Sequence, residues 1–93
     1  MTRYAAKSDN NHTEIRDGLR ECGVQVQDVA RHAGLGFDLI ATRAGGPPML
    51  LEVKQPRTAT RLTESEQAAR DAYGDYWRVV TTLEEALAAV GAA

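Results

Sequence analysis

Apolar residues recur along this chain with two periods, and the switch between them marks out its elements. Ile15, Leu19 and Cys22 fall at helical spacing and predict a helix from about Asn11 to Glu21, stopped by Gly23. Leu83, Ala86, Leu87 and Val90 form an i, i+3, i+4, i+7 stripe that ends before Gly91. A third helix runs from Thr63 to about Tyr73 and ends at Gly74. Each start carries a capping signature: Asn11-His12-Thr13-Glu14, Thr63-Glu64-Ser65-Glu66 and Thr82-Leu83-Glu84-Glu85 place a side-chain acceptor at N-cap and a carboxylate at N3.

Between the first two helices the period shortens to two. Val24 to Val29 begins with strict alternation, the pattern of a half-exposed strand. Phe37 to Arg43 and Met49 to Lys54 are almost wholly apolar, as central strands covered on both faces are. The turn Gly45-Gly46-Pro47-Pro48 joins them into an antiparallel hairpin. Trp77 to Val80 is a last strand, placed to pair in parallel through the preceding helix as crossover. The order is αβββαβα: an α/β fold with a mixed central sheet flanked by helices. The first few residues and the final Gly91-Ala92-Ala93 are expected to be loose.

Ninety-three residues suit a single domain, 1–93, with one small core. With 43% hydrophobic and 26% charged residues, the composition is that of an ordinary globular chain. The lone Cys22 excludes an internal disulfide framework and a cysteine-based zinc cage, and is expected to be a buried helix residue. No signal peptide and no membrane-length apolar stretch is seen, so a cytoplasmic setting is expected. A net charge of −2 argues against coating nucleic acid by bulk electrostatics. Charge is nevertheless segregated: Lys54, Arg57 and Arg61 share an acid-free stretch, and Glu64, Glu66, Asp71 and Asp75 follow it.

Chemistry enters where charge interrupts the apolar strands. Glu52 and Lys54 are two residues apart and share a face, with Met49, Leu51 and Val53 on the other. Such groups are costly to bury without a partner or a metal ion. Asp38 repeats the oddity in the preceding strand, and in-register pairing stands it beside Glu52. Two carboxylates, a backbone carbonyl and waters make a hard oxygen site for Mg²⁺ or Mn²⁺. The same spacing also serves a buried Asp38–Lys54 or Glu52–Lys54 ion pair.

Asp38, then Glu52-Val53-Lys54, after a helix with Glu14 and before a helix with Gln67, resembles the PD-(D/E)XK nuclease superfamily. Within it the pattern is most similar to the small VRR-NUC and Holliday-junction-resolvase-like nucleases often found in phages. Phe37 departs from the family's proline, at a position that contributes no ligand. The resemblance implies a restriction-endonuclease-like core and a Mg²⁺- or Mn²⁺-dependent DNA endonuclease. It assigns Asp38, Glu52, the Val53 carbonyl and Glu14 to the metal, Lys54 to the nucleophilic water, and Gln67 to a place near that lysine. Glu14 equally fits the N3 slot of its capping box, whereas Gln67 stands where a hydrophobic staple from Leu62 would meet an apolar residue.

The helix-surface pair Arg16 and Arg20, the loop residue His32, and Arg57 and Arg61 are candidate DNA contacts, each also readable as solvated surface. His12 has an exposed first-turn position near the expected substrate path. Trp77 and Tyr73 read as core or interface aromatics. Branched DNA such as a Holliday junction calls for two active sites, hence a homodimer. The alternative is a catalytically inactive DNA-binding or assembly module with the same fold.

Overall fold

A computed structural model describes residues 3–92, with side chains from residue 11 onward. It is a small α/β domain of three helices and a four-stranded mixed sheet, in the order α1 (Arg3–Glu21), β1 (Gln25–Asp28), β2 (Leu39–Thr42), β3 (Pro48–Val53), α2 (Glu64–Tyr73), β4 (Trp77–Val80) and α3 (Leu83–Ala89). The strands lie side by side in sequence order. β1 and β2 pair antiparallel, as do β2 and β3, whereas β3 and β4 pair parallel through the α2 crossover.

The pleat sorts side chains into two layers. Leu39, Ala41, Met49, Leu51 and Val80 face Ile15 and Leu19 of α1 and Ala86 of α3, forming the main core. Leu50 and Trp77 face Ala69 of α2 in a smaller second layer, with Phe37, Ile40, Leu62 and Val79 packed around them. Ile15, Leu19, Leu39, Leu51 and Val80 are fully buried, each contributing about 1.5–3 kcal/mol by leaving water. Glu52, the charged residue of β3, therefore projects into the thinner α2 layer, where water is closer.

Two sequence expectations are corrected at α1. The helix begins at Arg3 rather than Asn11, because neither glycine nor proline interrupts the chain before Gly18. Asn11 is thus an interior helix residue, and its Nδ2 donates to the Lys54 carbonyl (3.1 Å). Cys22 is exposed, because α1 ends one residue earlier and the chain turns away from the Ile15–Leu19 stripe. The looseness expected of the chain ends lies outside the described residues at Met1, Thr2 and Ala93. Gly91 and Ala92, by contrast, are hydrogen-bonded back to Ala88 and Leu87. The other two helices start as expected, Thr63 and Thr82 accepting from the Glu66 and Glu85 amides.

The β1–β2 connection, residues 29–38, folds over the α2 side of the sheet. The Val29 amide donates to the Asp38 carbonyl (2.9 Å) at its neck. The buried Trp77 Nε1 donates to the Gly36 carbonyl (2.8 Å). Gly36 has φ 85°, and a Cβ there would overlap the Ser65 carbonyl and sit 2.8 Å from Ala69 Cβ. Both backbone conformation and space demand glycine. Gly36→Ala is expected to destabilise the domain by about 2 kcal/mol or more in a urea titration, since strain and overlap add. Gly23→Ala, at a similar φ with open space around it, isolates the strain alone.

Candidate active site

The hairpin register decides what meets at the rim of the sheet. Leu39 pairs with Leu51, and just before β2 the Asp38 amide donates to the Leu51 carbonyl (2.8 Å), which ties Asp38 to β3 next to Glu52. Asp38 Oδ2 accepts from the Val53 amide (2.8 Å). Lys54 N–H bonds the Val80 carbonyl of β4 (3.0 Å), which turns the Val53 peptide groups away from β4. The amide and carbonyl of one strand residue project to the same edge, so the Val53 carbonyl is directed to the Asp38 side.

Glu52 is 8% exposed and projects toward α2. There the Lys54 ammonium lies 2.9 Å from Glu66 Oε1 in a largely buried ion pair. Its partner is thus neither Asp38 nor Glu52, the two acids that sequence spacing suggests. Among the described residues no salt bridge neutralises Asp38 or Glu52. Burial, then the Asp38 and Glu66 charges, push Glu52 up to about 8, against the opposing pull of Lys54. Asp38 is also raised, burial outweighing the Val53 hydrogen bond and the nearby His12. Glu66 moves the other way: burial would raise it, but the Thr63 amide, Lys54 and Glu52 together hold it below its ordinary value.

Asp38, Glu52, Thr63 and Glu66 line a shallow cleft of about 270 Å³ between the 30–37 loop and the start of α2, with His32 on its exposed wall. On the other flank, His12 Nε2 lies 2.9 Å from Asp28 Oδ2, which also accepts from Arg16 Nη1 (3.0 Å). Burial would raise Asp28, but His12, the Ala30 amide and Arg16 outweigh it and hold the acid at about 2.

Four expected residues sit elsewhere. Glu14 is exposed and lines a separate hollow with Asp17, Glu21 and Leu83, between α1 and α3. The longer α1 also removes its capping role; among the described α1 side chains, Asn11 bonds the Lys54 carbonyl and His12 lies near Asp38. Gln67 is exposed and donates from Nε2 back to the Leu62 carbonyl (3.1 Å). One residue along a helix turns the side chain by about 100°, so Glu66 rather than Gln67 meets Lys54. Arg16 is taken up by Asp17 and Asp28, and Arg20 donates to the Val26 carbonyl (3.0 Å). Arg57 and Arg61 remain exposed beyond the end of β3. Glu66 is the residue that sequence reasoning missed. Its N3 position in a capping box already explained a carboxylate there, although the spacing from Lys54 across one short connection was a usable signal.

Two adjacent carboxylates and a nearby backbone oxygen are hard donors, and the like charges they bring together are what a divalent cation would relieve. Among the described residues, no three His, Cys, Asp or Glu side chains are arranged to hold a metal by themselves. Backbone oxygen and water would therefore complete any coordination. No protein-family model, curated protein or solved structure matches the chain.

Glu52 gives the site a pH signature. Its ordinary value is 4.5, so between about pH 4.5 and 8 the unfolded chain has released this proton and the folded chain still holds it. Metal-free stability is expected to fall as pH rises through that window, by an amount on the order of a few kcal/mol. Asp38 acts in the same direction, and the lowered Glu66 acts only below its own ordinary value. Chemical denaturation in chelator across pH 4 to 9 checks this; Glu52→Gln should flatten most of the slope.

Proposed function

We propose that the chain is a divalent-metal-dependent DNA endonuclease of the PD-(D/E)XK type, built on a restriction-endonuclease-like core. The observation that carries the reading is the placement of Asp38 beside Glu52 at the shared end of β2 and β3, with Lys54 two residues on. Asp38, Glu52 and the Val53 carbonyl would hold Mg²⁺ or Mn²⁺. The ion would supply Lewis acidity, as such ions do in phosphoryl transfer.

The chain's own residues supply geometry and charge. The Val53 amide fixes the Asp38 carboxylate. The Lys54 ammonium has three donors, of which Glu66 uses one, leaving two for the attacking water and a phosphate oxygen. Water attacks phosphorus in line, the P–O3′ bond breaks, and the products are a 5′ phosphate and a 3′ hydroxyl. The exposed Arg57 and Arg61, with His32 on the cleft wall, provide a path for the DNA backbone despite the overall negative charge. Paired cuts in a branched junction need two such sites, which a homodimer provides.

One observation favours a second reading. The Lys54–Glu66 pair is already closed, as it would be if the acids and lysine formed a structural ion network in a non-catalytic DNA-binding or assembly module. Purified protein incubated with Mg²⁺ or Mn²⁺ and four-way junctions, flaps, supercoiled and linear DNA separates the two. The nuclease reading expects cleavage, abolished by Asp38→Asn and lowered about a hundredfold or more by Lys54→Ala. Calorimetric titration with Mn²⁺ should show a site that Asp38→Asn removes. Cleavage undiminished in either variant sinks the assignment, and an intact parent that neither cuts nor takes up metal supports the ion network.

A further inference from the structure

We propose that Glu66 is a positioning residue of this site: the carboxylate that caps α2 also fixes the ammonium of Lys54. The inference rests on the nuclease reading for its consequence, but its geometry stands apart from it. Glu66 Oε1 accepts from the Thr63 amide (2.9 Å) and lies 2.9 Å from Lys54 Nζ. The Glu66 amide in turn donates to Thr63 Oγ1 (3.2 Å), so the carboxylate is held at its base by the helix start. Glu66 is 8% exposed, unusual for a capping-box acid, because its head is turned into the layer between α2 and the sheet.

A lysine stem has four rotatable bonds, and beside Asp38 and Glu52 a free ammonium would fold onto those acids. Glu66 holds it off them. The bond to a carboxylate anchored on α2 fixes one of three donors. The two acids are left without a salt-bridge partner and the lysine is restrained, which suits both metal uptake and orientation of a water. The first turn of α2 is thereby tied to the residue that follows β3.

Glu66→Gln separates the two jobs. Glutamine still accepts from the Thr63 amide, so the cap survives, but it no longer carries the charge that holds Lys54. The variant is expected to melt within a few degrees of the parent and to lose about tenfold or more in kcat, with little change in KM. Thr82→Ala, which removes the cap of α3, is the control for lost stability: it should lower the melting temperature and leave kcat unchanged. A kcat retained in Glu66→Gln, in a parent that cleaves, overturns the inference and leaves the nuclease reading intact.

A readout independent of cleavage is the ¹H–¹⁵N signal of the Lys54 ammonium, identified by its loss in Lys54→Arg. It should be protected from solvent exchange in the metal-free parent and lost in Glu66→Gln. A signal absent from the parent, or unchanged in the variant, overturns the positioning role. A signal lost as expected in a protein that cuts no DNA supports the positioning role and removes the nuclease reading.

Discussion

The pairing register of β2 with β3 is the constraint on which the site depends. Side chains alternate across a strand, so a slip of one residue would carry Asp38 or Glu52 to the opposite face and expose Leu39 or Leu51 in exchange. The main core forbids that exchange, since both leucines are fully buried against α1 and α3. Hydrophobic burial on one face thus fixes the charge geometry on the other. The two acids are held together because the leucines beside them, on the opposite face, have nowhere else to go.

The second layer works by contact with loops and helix ends. Trp77, at the start of β4, reaches the Gly36 carbonyl, and Gly36 lies directly on the first turn of α2. The same turn carries the capping box whose acid meets Lys54. Strand, loop and helix therefore converge on the cleft, each through one hydrogen-bonded group. On the far side, Asn11 holds the Lys54 carbonyl while His12 and Arg16 converge on Asp28, so α1 braces the rim of the sheet across three strands.

Much of this was legible in the sequence, for identifiable reasons. The apolar runs around Leu39 and Leu51 declare central strands, the glycine-proline turn declares the hairpin, and a hairpin in register brings Asp38 to Glu52. Helix starts were legible where a cap is the only use of the side chain, as at Thr82. They misled where a polar side chain has a distant partner: Asn11 looks like a cap, yet it serves the Lys54 carbonyl from inside a longer helix. Gln67 and Glu66 show the same limit. Adjacent residues on a helix diverge in direction, and sequence alone does not fix which of the two meets the strand. Arg16 and Arg20 looked like a free basic surface because their partners, Asp28 and the Val26 carbonyl, lie on a strand beyond the turn.

The indole of Trp77 is the only one in the chain, and its N–H is bonded to the loop that walls the cleft. The domain thereby carries its own chromophore at a point where that wall is fastened to the sheet. Withdrawal of the 30–37 segment from α2 would break the bond and let water reach the ring, which shifts indole emission to the red. Any such opening of the cleft would be visible in the unlabelled protein, through light emitted by a residue outside the cluster of Asp38, Glu52, Lys54 and Glu66.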